Sequence, residues 1–144
     1  MGVCDTPLQK MGKNISNIVI ISILILSAIS LQAQVVTDST AEKMLLYQRS
    51  NGGFPQPHGD PIKYEKPVSN ALKAQLLTEK NNLDATIDEE STTREIRGLA
   101  LAYKKTQNPT YLKAVENGIN FLLTAQNSAG GWGQFYPDTS GYHK

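Results

Sequence analysis

The chain has 144 residues, with 14 Lys+Arg against 13 Asp+Glu and a formal net charge of +1. So even a balance excludes an electrostatic case for nucleic-acid binding. A single cysteine, Cys4, excludes a disulfide framework and thiol chemistry in the body of the protein.

Ile18 to Ile29 is almost wholly apolar and follows Lys10 and Lys13. About a dozen apolar residues behind a positive segment read as a secretory signal, because spanning a bilayer takes about 20. Cleavage after Ala33 gives a signal peptide at 1–33, with Met11 as an alternative start, a short linker at 34–39 and a secreted or periplasmic body at 40–144. No stable membrane anchor is expected. Cys4 lies upstream of the apolar run, which is not where a lipid-attachment cysteine belongs.

Thr40 to Ser50 opens on a capping hydroxyl, spaces Met44, Leu45 and Tyr47 helically and stops at Asn51-Gly52-Gly53. Phe54 to Pro61 carries three prolines and a glycine and reads as a loop. Ser69 to Lys80 is predicted as a helix with Ala71, Leu72, Leu76 and Leu77 on one face. Ahead of the next helix, Thr92 to Thr106, stand Asp88, Glu89 and Glu90, then Ser91, Thr92 and Thr93, all good N-cap types. Ile96, Leu99, Ala100 and Tyr103 form its buried stripe.

Asn108-Pro109 stops one helix and starts another, whose stripe is Tyr111, Leu112, Val115, Ile119, Leu122 and Leu123. Tyr103 and Tyr111 read as core residues. No segment alternates as a strand would, so the class is all-α, built of paired antiparallel helices.

The acids of 88–90 have two readings. They complement the helix dipole, at roughly 0.3–1 kcal/mol each, or they offer hard oxygen ligands to a cation such as calcium. His58 and His143 are too isolated for a zinc site or a triad and read as exposed loop residues. Arg94 and Arg97 are spaced to pair with Glu90 or to bind a carboxylate, an ordinary surface ion pair being the plainer reading.

Leu45-Leu-Tyr-Gln48-Arg-Ser-Asn-Gly52-Gly53-Phe54 recurs as Leu123-Thr-Ala-Gln126-Asn-Ser-Ala-Gly130-Gly131-Trp132, at an offset of 78 residues. A helix ending in Gln, then a turn, two glycines and an aromatic, suits a toroid of helical hairpins whose turns collect on one rim. In that reading the first glycine is a left-handed cap, the second lets backbones approach, and the aromatic folds over the helix end. Phe54, Trp132, Phe135 and Tyr136 then serve either as helix-end packing or as flat platforms for sugar rings. Four helices do not close a ring. The body therefore reads as the N-terminal part of an incomplete (α/α) toroid, truncated at its C-terminus, with apolar stripes left uncovered.

These motifs resemble the pectate lyases of polysaccharide lyase family 10. The likeness rests on Met44 to Pro55, on Thr86-Ile-Asp88 followed by Ser91-Thr92-Thr93, and on Leu122-Leu-Thr-Ala-Gln126 with Gly130-Gly-Trp-Gly-Gln-Phe-Tyr-Pro137. It implies a helical toroid that cleaves pectate by calcium-dependent β-elimination. It places Asp88 at a calcium or substrate-site aspartate, with Glu89 as a second candidate metal ligand. Candidate substrate contacts are Asn51, Phe54, Arg94, Trp132, Gln134 and Tyr136. The family's base is an arginine on a motif this stretch lacks, so no catalytic residue is expected here.

The departures are Glu89 where the family has Asn, Glu90-Ser91 for Gly-Ala, Phe54-Pro55-Gln56 for Trp-Pro-Lys, and Gly133 where proline is usual. Polygalacturonate is the expected partner. A non-catalytic carbohydrate-binding or surface helical-repeat protein is the alternative.

Overall fold

The computed structural model describes residues 35–137. The expected signal segment, with Cys4 and Met11, and His143 lie outside the described residues.

Among the described residues there are four α-helices. Helix α1 spans Ser39–Tyr47 and is capped by Asp38, not Thr40: its Oδ1 accepts from the N–H groups of Thr40 and Ala41 at 3.0 and 3.1 Å. One carboxylate oxygen thus satisfies two donors that the helix start leaves unpaired. Helix α2, Asn70–Thr78, is capped as expected by Ser69, whose hydroxyl accepts from Leu72 N–H at 3.1 Å. Helices α3 (Thr93–Thr106) and α4 (Pro109–Ala125) are joined through Asn108, which caps α4 by accepting from Thr110 N–H at 3.0 Å while Pro109 opens the first turn. No helix among the described residues is long and apolar enough to cross a membrane.

The α3–α4 hairpin carries the most extensive helix contact, and small residues bring it together. A Cβ on Gly118 would stand 2.6 Å from the Ile96 side chain, so only glycine admits this approach. Leu99, Tyr111, Phe54, Ala41, Met44, Ala102, Ala114 and Val115 form the core. Tyr111 is tied to the N-terminal helix through its hydroxyl, which accepts from Asp38 N–H at 2.8 Å and donates to Glu42 at 2.7 Å.

The expected stripes are corrected in part. Helix α4 buries Tyr111, Ala114, Val115, Gly118 and Phe121, whereas Leu112, Ile119 and Leu123 are exposed. It has two apolar faces, and the one with small residues allows the closer packing. On α3, Ala102 is buried and Ala100 exposed; on α2, Leu76 alone is buried.

A short ladder was not foreseen. β1 (Phe54–Pro55) pairs antiparallel with β2 (Ala85–Thr86), Phe54 opposite Thr86. Strands of two residues leave no alternation to read.

The repeat is a repeat of hydrogen bonds. Arg49 and Asn127 each donate N–H to the second glycine's carbonyl at 2.9 Å. Gln48 and Gln126 each donate Nε2 to the first glycine's carbonyl, also at 2.9 Å. Gly52 and Gly130 have φ of +93° and +86°, the left-handed geometry that favours glycine. Close approach by the second glycine holds only once. A Cβ on Gly53 would lie 2.7 Å from Ala85, while one on Gly131 would make ordinary contact.

Candidate functional site

Leaving β2, the chain bends through a 3-10 turn at Asp88–Glu90 before entering α3. Glu89, Glu90 and Thr92 have φ of +44°, +65° and +68°, unusual values for residues with side chains. Thr92 holds this bend in place. It is fully buried, its hydroxyl donates to Thr86 O at 2.7 Å, and its Oγ1 accepts from Phe54 N–H at 2.9 Å. It makes no side-chain cap to α3, so the expected capping role gives way to clamping two strands.

Asp88 is fixed from three directions. Its N–H donates to Thr86 Oγ1 at 3.1 Å, its Oδ1 accepts from Glu89 N–H at 2.9 Å, and its Oδ2 accepts from Gln134 Nε2 at 3.1 Å. The second repeat turn delivers Gln134, because the chain after it folds back along β2. There Thr86 bridges Phe135, and Gln134 O accepts from Ile87 N–H at 3.3 Å and from the Thr86 hydroxyl at 2.6 Å. Ile87, Asp88, Trp132, Gly133 and Gln134 surround a cavity of about 160 Å³. Trp132 is 43% exposed, and its Nε1 donates to Leu122 O at 2.7 Å, which lays the indole over the end of α4.

The structure therefore brings Asp88, Trp132 and Gln134 together. Glu89 adjoins them, with its carboxylate accepting from Gln56 Nε2 at 3.1 Å. Asn51 and Tyr136 are linked to each other, Asn51 Nδ2 donating to Tyr136 O at 3.5 Å, and the Tyr136 ring meets Phe121 edge-on at 6.0 Å.

Two expected contacts are placed elsewhere. Phe54 is 0% exposed and belongs to the core, so it offers no face to a sugar. Arg94 pairs with Glu95 and lies over the Tyr64 ring, 5.8 Å from its centroid. Of the two arginines on α3, Arg97 is the one that reaches Glu90, at 3.2 Å between exposed groups.

Sequence reading missed two buried ionic clusters. Glu95 is 1% exposed and accepts from Tyr64 at 3.1 Å; burial, with the Glu95 carboxylate beside it, pushes the Tyr64 phenol far up. Arg49, buried at the end of α1, grips Asp84 with two bonds of 2.6 Å. Neither residue type announces burial in a sequence.

Asp88 and Glu89 supply hard oxygens of the kind a calcium ion takes. Among the described residues no three acidic, histidine or cysteine side chains converge into a metal cage. Such a cation would therefore draw part of its shell from outside these side chains.

A family model described as pectic acid lyase matches residues 39–144. Two similar solved structures are the family 10 polysaccharide lyase from Cellvibrio cellulosa, 36% identical with a TM-score of 0.59, and an aspartate-to-alanine mutant of that lyase in complex with trigalacturonic acid, 33% identical with a TM-score of 0.60. Each likeness covers 73% of this chain and 29% of the solved one, so this chain spans less than a third of either relative. No curated protein matches it.

Proposed function

The chain belongs to the pectic acid lyase family, and from that premise we propose that it forms the Asp88-bearing part of a secreted, calcium-dependent pectate lyase acting on polygalacturonate. The observation that carries the reading is the Asp88 carboxylate, held by Gln134 and by its own turn at the edge of a cavity walled by Trp132. In the reaction a base removes the proton α to a uronate carboxylate, its electron pair forms the ring double bond, and the glycosidic C–O bond β to the carboxylate breaks. Asp88 and Glu89 are the residues that would hold calcium. The ion, when bound against the uronate carboxylate, supplies positive charge where negative charge develops.

This chain's own groups bind and orient. Trp132 offers its exposed face to a sugar ring, while Gln134 fixes the Asp88 rotamer. The proton-abstracting arginine is assigned to a motif outside these 144 residues. The apolar segment at 18–29 fits export.

Calorimetry of trigalacturonate with and without calcium tests the reading. Calcium-dependent binding that Asp88→Ala abolishes is the expected result, and binding indifferent to both refutes it. A protein extended to the length of its solved relatives should release unsaturated ends. One that binds but never cleaves would be a carbohydrate-binding protein instead.

A further inference from the structure

On the far side of the 54–59 loop, a cleft of about 350 Å³ opens beneath the proline-rich stretch that follows β1. Lys43, Lys63 and Lys66, with His58, line it against one carboxylate, Asp60. That concentration of charge stands out in a chain whose net charge is +1. Its aromatic wall is the half-buried Tyr47, which packs edge to face, centroids 5.8 Å apart, on the buried Tyr64. Lys43 is positioned there by a 2.7 Å bond from its Nζ to Tyr64 O, and Lys63 and Lys66 are exposed.

The cleft is not isolated from Asp88. It shares Tyr47, Pro57, His58 and Leu72 with a second cavity of about 650 Å³, whose other lining residues include Gln56 and Phe135. Gln56 bonds Glu89, and Phe135 bridges Thr86 at the base of the Asp88 turn. The lysine cleft thus adjoins a cavity whose wall touches, through Gln56 and Phe135, the turn that carries Asp88. In the intervening cavity Arg49 is neutralised by Asp84 and accompanied by Glu79, so the positive field is confined to the lysines.

We infer that the cleft lined by Lys43, Lys63 and Lys66 is a distal subsite for an anionic sugar of the polymer that passes Asp88, with the ring against Tyr47 and the carboxylate met by the ammonium groups. The inference rests on the polyuronide reading above. An aromatic wall beside several cations matches a carboxylated sugar, which has an apolar ring face and a charged edge. A bare polyanion needs only the charge.

The test is calorimetry of the 144-residue chain with calcium and an oligogalacturonate longer than the trimer. The double variant Lys63→Ala/Lys66→Ala should weaken binding about fivefold at low salt and flatten its salt dependence. A fully methyl-esterified oligomer should gain nothing from the lysines. Both side chains are exposed, so unchanged thermal melting separates lost binding from lost folding. Lys63→Glu should weaken binding further.

Unchanged binding in the double variant, with Asp88 dependence intact, overturns the subsite and leaves the polyuronide reading standing. No oligogalacturonate binding by the unmodified chain overturns both. Single-stranded DNA binding with equal affinity and the same lysine dependence also overturns the proposal, because the patch would then be a general polyanion surface.

Discussion

Glu90 combines a φ of +65° with an exposed side chain whose one ion pair, to Arg97, spans 3.2 Å between groups 70% and 67% exposed. Replacing it with glycine removes the left-handed penalty, about 1–2 kcal/mol. Against this stand about 0.5–1 kcal/mol for the freer unfolded chain and at most about 0.5 kcal/mol for a solvent-screened pair. The expected net effect of Glu90→Gly is a stabilisation of about 0.5 kcal/mol, or a rise of about 2–4 °C in melting temperature. Glu90→Ala isolates the backbone effect, since it loses the same pair and keeps the strain; it should fall slightly below the parent chain. Urea or thermal unfolding of the three proteins reads the difference between the two variants, about 1 kcal/mol in favour of glycine. A glycine variant no more stable than the alanine variant would show that the turn stores no strain at this residue.

Thr92→Val strands the Phe54 N–H and one acceptance site at Thr86 O in the interior, and should cost about 2 kcal/mol in urea unfolding. Gly52→Ala combines a left-handed φ with a Cβ 2.2 Å from Asn117 O. It should exceed Gly59→Ala, which has φ of +78° and open space, by at least about 1 kcal/mol in the same assay. The Asp38 carboxyl is held below the usual carboxylate range, first by the Ala41 N–H and further by the Thr40 N–H and Lys105, against its partial burial. Because the folded value is depressed, the unfolded chain takes up the proton first. This stabilisation is present at neutral pH and is lost as the pH falls below about 4. Asp38→Asn should flatten that limb of a melting-temperature profile.

Two of the four helix starts were legible because they rest on local chemistry, whereas α1 is capped by Asp38 in place of Thr40 and Thr92 makes no side-chain cap to α3. Ser69 and Asn108 cap the helices they were expected to cap, and Pro109 starts α4. The paired glycine turns were legible for the same reason, since a positive φ leaves its mark on one residue. Phe54 was misread because a turn-end aromatic looks the same whether it faces a sugar or the core. What separates the two is Thr92, 38 residues away, drawing its N–H inward. The Asp88 region was recognisable by motif, yet its clamp through Gln134 joins residues 46 apart, a distance that pattern along the chain does not encode. Arg49 and Glu95 are charged, and nothing local foretold their burial.

The Gln48 amide also fixes an order of events during synthesis. Its Nε2 bridges Gly52 O and Ala114 O, the latter 66 residues downstream, and Asp38 reaches Tyr111 across 73. By contrast the α3–α4 hairpin closes across a connection of two residues, Gln107 and Asn108. Loop closure favours the local hairpin first. Helix α1 therefore leaves the ribosome before α3 and α4, the two helices that form most of its seat, have been made. Among the described elements α1 is therefore among the last to be protected from exchange, and its exposed wait sets the interval in which a chaperone or protease would meet it.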